Sequence, residues 1–238
     1  SVVGRRVLRS YAGSMSFIAG LISPLRPFLS CLWAALSSKN EPEGKTRVKF
    51  DRGLIHTKRL KGALELFAAF FHAESGGLLR EYRPRTLCNV FIATDASPWG
   101  YGGVLVVNDR IVDYFMDVVS SEDLSKFDAR VGESAFMTLW EAMALLMAFR
   151  AWLTRFPLGL AVRVKSDSRG ALGAILKLCS PSPLLNTVVR EIPLDLSSGS
   201  YDISVLEHIP GVTNFFPDAL SLLPQCPYPT PYPVSLYT

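Results

Sequence analysis

The sequence predicts an α/β fold, a mixed five-stranded sheet with flanking helices preceded by a small, mainly helical region. Three observations carry this. Strand-like runs at Asn89–Thr94, Gly100–Val107 and Arg110–Val118 follow one another closely, with a turn signal at Asn108-Asp109, and read as an antiparallel meander. A long helical pattern then intervenes before a fourth strand-like run, Gly159–Lys165, and further helices follow. Finally, the charge is divided: Ser1–Arg85 holds 15 Lys and Arg against 6 Asp and Glu, whereas Thr86–Thr238 holds 10 against 15. A basic front part joined to an acid-collecting rear part suggests a polyanion-binding region beside a carboxylate site, although a solvated basic surface reads the same way.

The 238 residues suffice for one large domain or two small ones. Cys31, Cys88, Cys179 and Cys226 are far apart and form no C-x-x-C pair, so neither a zinc site nor a disulfide framework is indicated. A reducing, intracellular setting, cytoplasmic or nuclear, is expected. Ser16–Leu36 is apolar, but Pro24, Arg26 and Pro27 interrupt it, and no membrane partner is expected. The chain begins at Ser1 without a signal-peptide pattern and reads as a fragment or a processed product.

Taken in order, Arg5–Ile22 is a helix, because Leu8, Tyr11, Ala12, Met15, Ile18, Ala19 and Ile22 recur at three- and four-residue steps. Arg5, Arg6 and Arg9 fall on or near its outer side. Ser23-Pro24 ends it, Phe28–Leu36 is a second short helix, and polar Lys39–Gly53 is a loop. Leu60–Phe71 is a third helix, with Lys58, Arg59 and Lys61 near its start. The helical region is thus 1–75, and Gly76-Gly77 with Arg83-Pro84-Arg85 mark a linker at 76–86. The second domain, 87–223, continues after its three strands with a helix from Ser134 to Arg155, the Gly159–Lys165 strand and a helix over Ala171–Leu178. Pro183–Leu196 is expected as one more helix, Ile203–Glu207 as a short fifth strand and Thr213–Leu222 as the last helix. The tail, 224–238, holds five prolines and is expected to be extended or disordered.

Acids arrive at matching places along this order. Asp95 ends the first strand of the meander and Asp167 follows the fourth, and in a mixed sheet those ends can be neighbours. Glu141 in the long helix and Asp218 in the last helix can point at the same spot. Several carboxylates that close together repel one another unless cations occupy the site. All-oxygen ligation favours Mg²⁺ or Mn²⁺ over zinc, and two such ions would activate a water and stabilise the leaving oxygen of a phosphodiester.

The stretches TDASPWGYGG, LWEAMAL, VKSDSRGAL and HIPGVTNFFPDALS resemble the successive blocks of the ribonuclease H domain of retroelement reverse transcriptases, long-terminal-repeat (gypsy-type) or DIRS-like. The last block of that family commonly reads H-x-P-G-x-x-N-x-x-A-D-x-L-S-R. This chain matches at His208, Pro210, Gly211, Asn214, Asp218, Leu220 and Ser221, and departs at Pro217 and Leu222, where the family has Ala and Arg. More loosely, SYAGSMSFIAGLISPLRPFLSCLWAAL is similar to the thumb that follows the polymerase palm, whose Y-x-D-D motif is missing here.

The resemblance implies a ribonuclease H-like fold and a metal-dependent endonuclease that cuts the RNA strand of RNA–DNA hybrids, beside an upstream polymerase domain of the same polyprotein. It puts the carboxylates that hold two Mg²⁺ (or Mn²⁺) ions on Asp95, Glu141, Asp167 and Asp218. His208 either serves as a general acid or in product release near the site, or is a histidine satisfied at a strand end. Ser97 and Ser168, beside the acids, are candidates for the sugar-phosphate backbone, while Trp99 reads better as packing. Asn214 either caps the last helix or touches nucleic acid. Arg5, Arg6 and Arg9 would line a duplex path. The alternatives are a non-catalytic, nucleic-acid-binding remnant of a reverse transcriptase, or another nuclease or transposase of the same fold.

Overall fold

The computed structural model describes residues 1–22, 25–37, 53–72, 86–157, 160–197, 201 and 205–225. Most of the expected loop at Lys39–Gly53, all of the linker but Thr86, and the tail beyond Gln225 lie outside these. The chain divides into two compact units, Ser1–Glu81 and Tyr82–Thr238.

In the first unit, α1 (Arg5–Leu21), α2 (Arg26–Ser37) and α3 (Lys61–His72) enclose a small core. The apolar stripe read from the sequence does the burying: Leu8, Ala12, Met15 and Ala19 of α1 meet Leu29, Leu32 and Leu36 of α2 and Phe67 of α3. A two-stranded pair not anticipated from the sequence, β1 (Val2–Gly4) and β2 (Leu54–His56), runs antiparallel with Val3 opposite Ile55. Three-residue strands are too short for a period of two to register.

The second unit is built on β3 (Thr86–Ala96), β4 (Gly100–Val107), β5 (Arg110–Val118), β6 (Leu160–Ser166) and β7 (Val205–His208), in spatial order β5-β4-β3-β6-β7. β3, β4 and β5 are antiparallel neighbours, while β6 runs parallel to β3 and β7 parallel to β6. This is the mixed five-stranded sheet with flanking helices expected from the sequence. The β4–β5 turn falls on Asn108 and Asp109, both left-handed with φ of 51° and 61°, the conformation a two-residue hairpin needs.

Side chains of β3 alternate between two faces. Val90, Ile92 and Ala96 join the main core under α5 (Met137–Trp152), together with Trp140, Leu145, Phe149 and Trp152. Ala93 instead joins a small cluster with Val104 and Val106, against which Phe91, Ile111 and Leu220 pack. The α5 helix is buried almost all round, which is why its sequence shows only a partial helical period. Burial also explains why Ser134–Arg155 alone among the described residues is long and apolar enough to cross a membrane.

Three differences from the sequence reading remain. A helix α4 (Ser121–Phe127) begins at a capping box in which Ser120 and Asp123 satisfy each other's backbone N–H. The single helix expected over Pro183–Leu196 is two, α7 (Pro183–Val189) and α8 (Glu191–Ser197), hinged at Arg190. The last helix, α9 (Phe215–Leu222), is preceded by a separate tight turn at Gly211–Thr213. Helix α6 (Arg169–Lys177) lies where expected.

Candidate metal centre

Asp95 is next to last in β3 and Asp167 follows directly on β6, and these two strands are adjacent and parallel. Their carboxyl ends therefore stand side by side at one edge of the sheet, where open α/β sheets place their binding crevices. Glu141 reaches the same spot from α5. One ligand oxygen from each of Asp95, Glu141 and Asp167 lies within 4.8 Å of the others.

The electrostatics of this cluster are costly. Asp95 is 5% exposed and Glu141 6%. Burial pushes Asp95 up to about 7, with the charges of Asp167 and Asp218 adding to the shift while hydrogen bonds from Ser221 and Asn214 oppose it. Burial likewise pushes Glu141 up to about 9, helped by Asp95 and Asp167 and opposed by the Ala96 N–H and the Ser166 hydroxyl. Two buried oxygens, Glu141 Oε2 and Asp167 Oδ1, have no hydrogen-bond partner. Converging acceptor-only groups, two of them with a buried orphan oxygen, fit a hard divalent cation bound through oxygen.

Asp218 is placed differently. It lies in the first turn of α9 and is exposed, near enough for its charge to raise Asp95 but outside the close trio. The expected quartet is thus three buried or half-buried carboxylates with a fourth at the rim. His208 ends β7, in register with Ser166, and its Nε2 stands 3.1 Å from the Asp167 carbonyl oxygen. Because that oxygen only accepts, Nε2 carries the proton in this contact. Gly211 also backs onto the acid, since a Cβ there would stand 3.0 Å from Asp167 Oδ2.

Three further side chains make hydrogen bonds within the protein. Ser97 is 3% exposed, and its hydroxyl donates to the Ser221 carbonyl at 2.6 Å while accepting from the N–H groups of Trp99 and Gly100. Ser168 caps α6 by accepting from the Ala171 N–H. Asn214, 1% exposed, occupies the N-cap position of α9 without a side-chain cap bond. Its Nδ2 donates instead to the Thr94 carbonyl at 2.9 Å and to Asp95 Oδ1 at 3.2 Å. In the first unit, Arg6 and Arg9 are exposed on α1, while Arg5 donates to the Leu36 carbonyl at the C-terminal end of α2, where a cation complements the helix dipole.

Ser221 was not singled out for the site by sequence reasoning, yet its buried hydroxyl donates to Asp95 Oδ2 at 2.9 Å. The spacing carried a signal, because Asn214 and Ser221 are seven residues, two helical turns, apart. Ser166, beside Glu141, was missed too, and a serine ending a strand carries no comparable signal. Helix α9 can deliver these groups because β4 is bare beneath it. A Cβ on Gly102 would overlap the Pro217 carbonyl oxygen and stand 2.7 Å from Ser221 N, and one on Gly100 would stand 2.6 Å from Pro224. Pro217 itself falls in the first turn of α9, where a missing N–H costs nothing, so this departure from the family pattern leaves the helix intact.

No protein-family model matches the chain, and no curated protein matches its sequence. Among solved structures it is similar to ribonuclease H1 from the halophilic archaeon Halobacterium salinarum, at 18% identity and a TM-score of 0.40, over 57% of this chain and 94% of that one. It is also similar to LC11 ribonuclease H1, isolated from compost by metagenomics and solved with an RNA/DNA hybrid, at 17% identity and a TM-score of 0.42, over 55% of this chain and 92% of that one. A third likeness is to the prototype foamy virus protease-reverse transcriptase, at 16% identity and a TM-score of 0.35, spanning 85% of this chain but only 24% of that one.

Proposed function

We propose that the second unit is a metal-dependent endonuclease that cuts the RNA strand of RNA–DNA hybrids, as the ribonuclease H part of a retroelement reverse transcriptase. The observation that carries this reading is the carboxylate trio at the ends of two parallel strands, with two buried oxygens left unpartnered. The sequence blocks that resemble the family fall on these same residues.

In this reading Asp95, Glu141 and Asp167 hold two divalent ions, Mg²⁺ or Mn²⁺, with Asp218 completing the set from the rim. Such ions supply an activated water and neutralise charge on the phosphate. The chain's own residues set the conditions for that chemistry. Asp95 and Glu141 must be ionised to bind cations, and burial, by raising both carboxyls, makes cation binding compete with protons. His208 is exposed at the rim and tethered through its Nε2–H to the Asp167 carbonyl; as the imidazolium, with Nδ1 protonated as well, it would give the Nδ1 proton to the departing 3′ oxygen and be left neutral. Choice of RNA requires contacts to 2′-hydroxyls, and the basic first unit grips the duplex through its charge, Arg6 and Arg9 included. The upstream polymerase domain would be the partner within the same polyprotein, in a cytoplasmic or nuclear setting.

The test is cleavage of an internally labelled RNA–DNA hybrid with Mg²⁺ or Mn²⁺, beside an Asp95→Asn control and single-stranded RNA. Metal-dependent internal cuts in the hybrid alone, lost in the control, are expected. A folded protein that binds the duplex and never cuts it would instead be a binding remnant, a reading that the exposed position of Asp218 and the loss of Arg at Leu222 favour.

A further inference from the structure

We infer that Asn214 and Ser221 act together as a latch that sets the cation affinity of the carboxylate cluster by fixing Asp95 from both sides; the inference rests on the metal-binding reading above. The two residues are seven apart on α9 and so lie on one face of the helix. Each meets a different oxygen of the same carboxylate: Asn214 Nδ2 donates to Oδ1 at 3.2 Å, and Ser221 Oγ lies 2.9 Å from Oδ2, its single proton shared between Oδ2 and the Asp218 carbonyl oxygen, also at 2.9 Å. Both donors are buried, at 1% and 0% exposure, so water does not substitute for either.

The latch is over-determined. Asn214 also grips the Thr94 carbonyl, the residue before Asp95, and reversing its amide would set its oxygen against two acceptors. At the other end of α9, the Ser97 hydroxyl holds the Ser221 carbonyl. Helix α9 is thereby tied to the strand end that bears Asp95 both before and after that residue. With one hydrogen bond on each oxygen, the Asp95 carboxylate cannot rotate about its last bond without losing both. Each oxygen keeps a further lone pair for the cluster. Asp218 lies between Asn214 and Ser221 on α9, so the same ties bring its charge close enough to raise Asp95. Neutral donors to a ligand carboxylate have a known consequence: their loss weakens metal binding by roughly 10- to 100-fold.

The test measures Mn²⁺ binding to the full chain by electron paramagnetic resonance, without substrate, for the wild type, Ser221→Ala, Asn214→Ala, Asp95→Asn and the double variant Asp95→Asn/Ser221→Ala. Ser221→Ala and Asn214→Ala are each expected to raise the Mn²⁺ dissociation constant about 10-fold or more. Ser221→Ala is expected to add nothing once Asp95 is already Asn, a coupling that general loosening of the fold would not produce. Far-ultraviolet circular dichroism confines the comparison to folded protein. Wild-type affinity in folded Ser221→Ala, or an equal loss on the Asp95→Asn background, would overturn the latch while leaving the metal site standing. A wild type that binds no Mn²⁺ would overturn the metal-binding reading and the latch with it.

Discussion

The two faces of the sheet in the second unit are built on different principles. Under α5 lies one continuous core of large side chains, among them Trp140, Phe149, Trp152 and Ile192, all buried to 1% exposure or less. Under α9 the cluster is small, Ala93, Val104 and Val106, and it borders a groove of about 310 Å³ that Phe91, Ile111, Lys165 and Phe216 help to line. Beside it, β5 leaves Val112, Tyr114, Met116 and Val118 exposed. The thick face supplies most of the burial that holds the unit together. The thin face supplies little burial but two hydrogen bonds onto the Asp95 carboxylate and two more that tie α9 to the strand end bearing it. The acids meet where the faces meet, because Asp95 leaves β3 toward α9 while Glu141 comes from α5 on the other side. Stability and site geometry are thus partly separable in this fold, and that separation can be tested.

The hardest blow should come from the thick face. Trp140→Ala empties a fully buried site packed against Tyr101, Phe127 and Phe136, and is expected to cost about 3–5 kcal/mol. Urea unfolding followed by circular dichroism would read this, and a loss below 1 kcal/mol would show that the α5 core is not what holds the unit.

Replacing a site acid should do the opposite. Glu141→Gln removes the buried carboxyl that is pushed up to about 9 and should abolish hybrid cleavage. It should also stabilise the metal-free protein at pH 8 by on the order of 2 kcal/mol. The sign follows from proton binding. Asp95 at about 7 and Glu141 at about 9 are both raised above their unfolded values, so the folded state binds more protons than the unfolded one. The contribution of these two groups to metal-free stability should therefore be fully present only below their ordinary values of 3.8 and 4.5, fall as pH rises from there through about 7, fall less steeply toward about 9, and level off above it. Saturating Mg²⁺ should flatten that fall, and melting temperatures across the range with and without the ion would check both halves.

Gly102→Ala tests the thin face directly. The added methyl would collide with α9 backbone at Pro217 and Ser221, costing about 1–3 kcal/mol and lowering Mn²⁺ affinity, since it pushes the latch off Asp95. Smallest of all, Tyr114→Thr on the exposed stripe should stay within about 0.5 kcal/mol and leave metal binding unchanged. A large effect there would mean that the thin face is covered in solution.

Much of this was legible along the chain. The bounds of β4 and β5, the turn at Asn108-Asp109 and the buried stripe of α1 follow from local period and turn chemistry, which neighbouring residues decide among themselves. The order of Asp95, Glu141, Asp167 and Asp218 was readable for the same reason, each acid sitting at a recognisable place in its own element. The break between α7 and α8 at Arg190 was missed because the apolar pattern runs across it, although Pro193, which has no N–H to give the Val189 carbonyl, signals that one helix cannot run unbroken from Pro183 to Leu196.

What the sequence determined by itself is the set of elements and the acids each one carries. Only the tertiary structure decided which acids share a site, that Asp218 stands at the rim, and that Asn214 turns from capping its helix to holding a carboxylate 119 residues away. The physical reason is that a side chain's local options are nearly equal in energy, so the choice among them falls to packing. Here the packing is the close seat of α9 on the bare backbone of Gly100 and Gly102, which brings Asn214 and Ser221 within reach of Asp95.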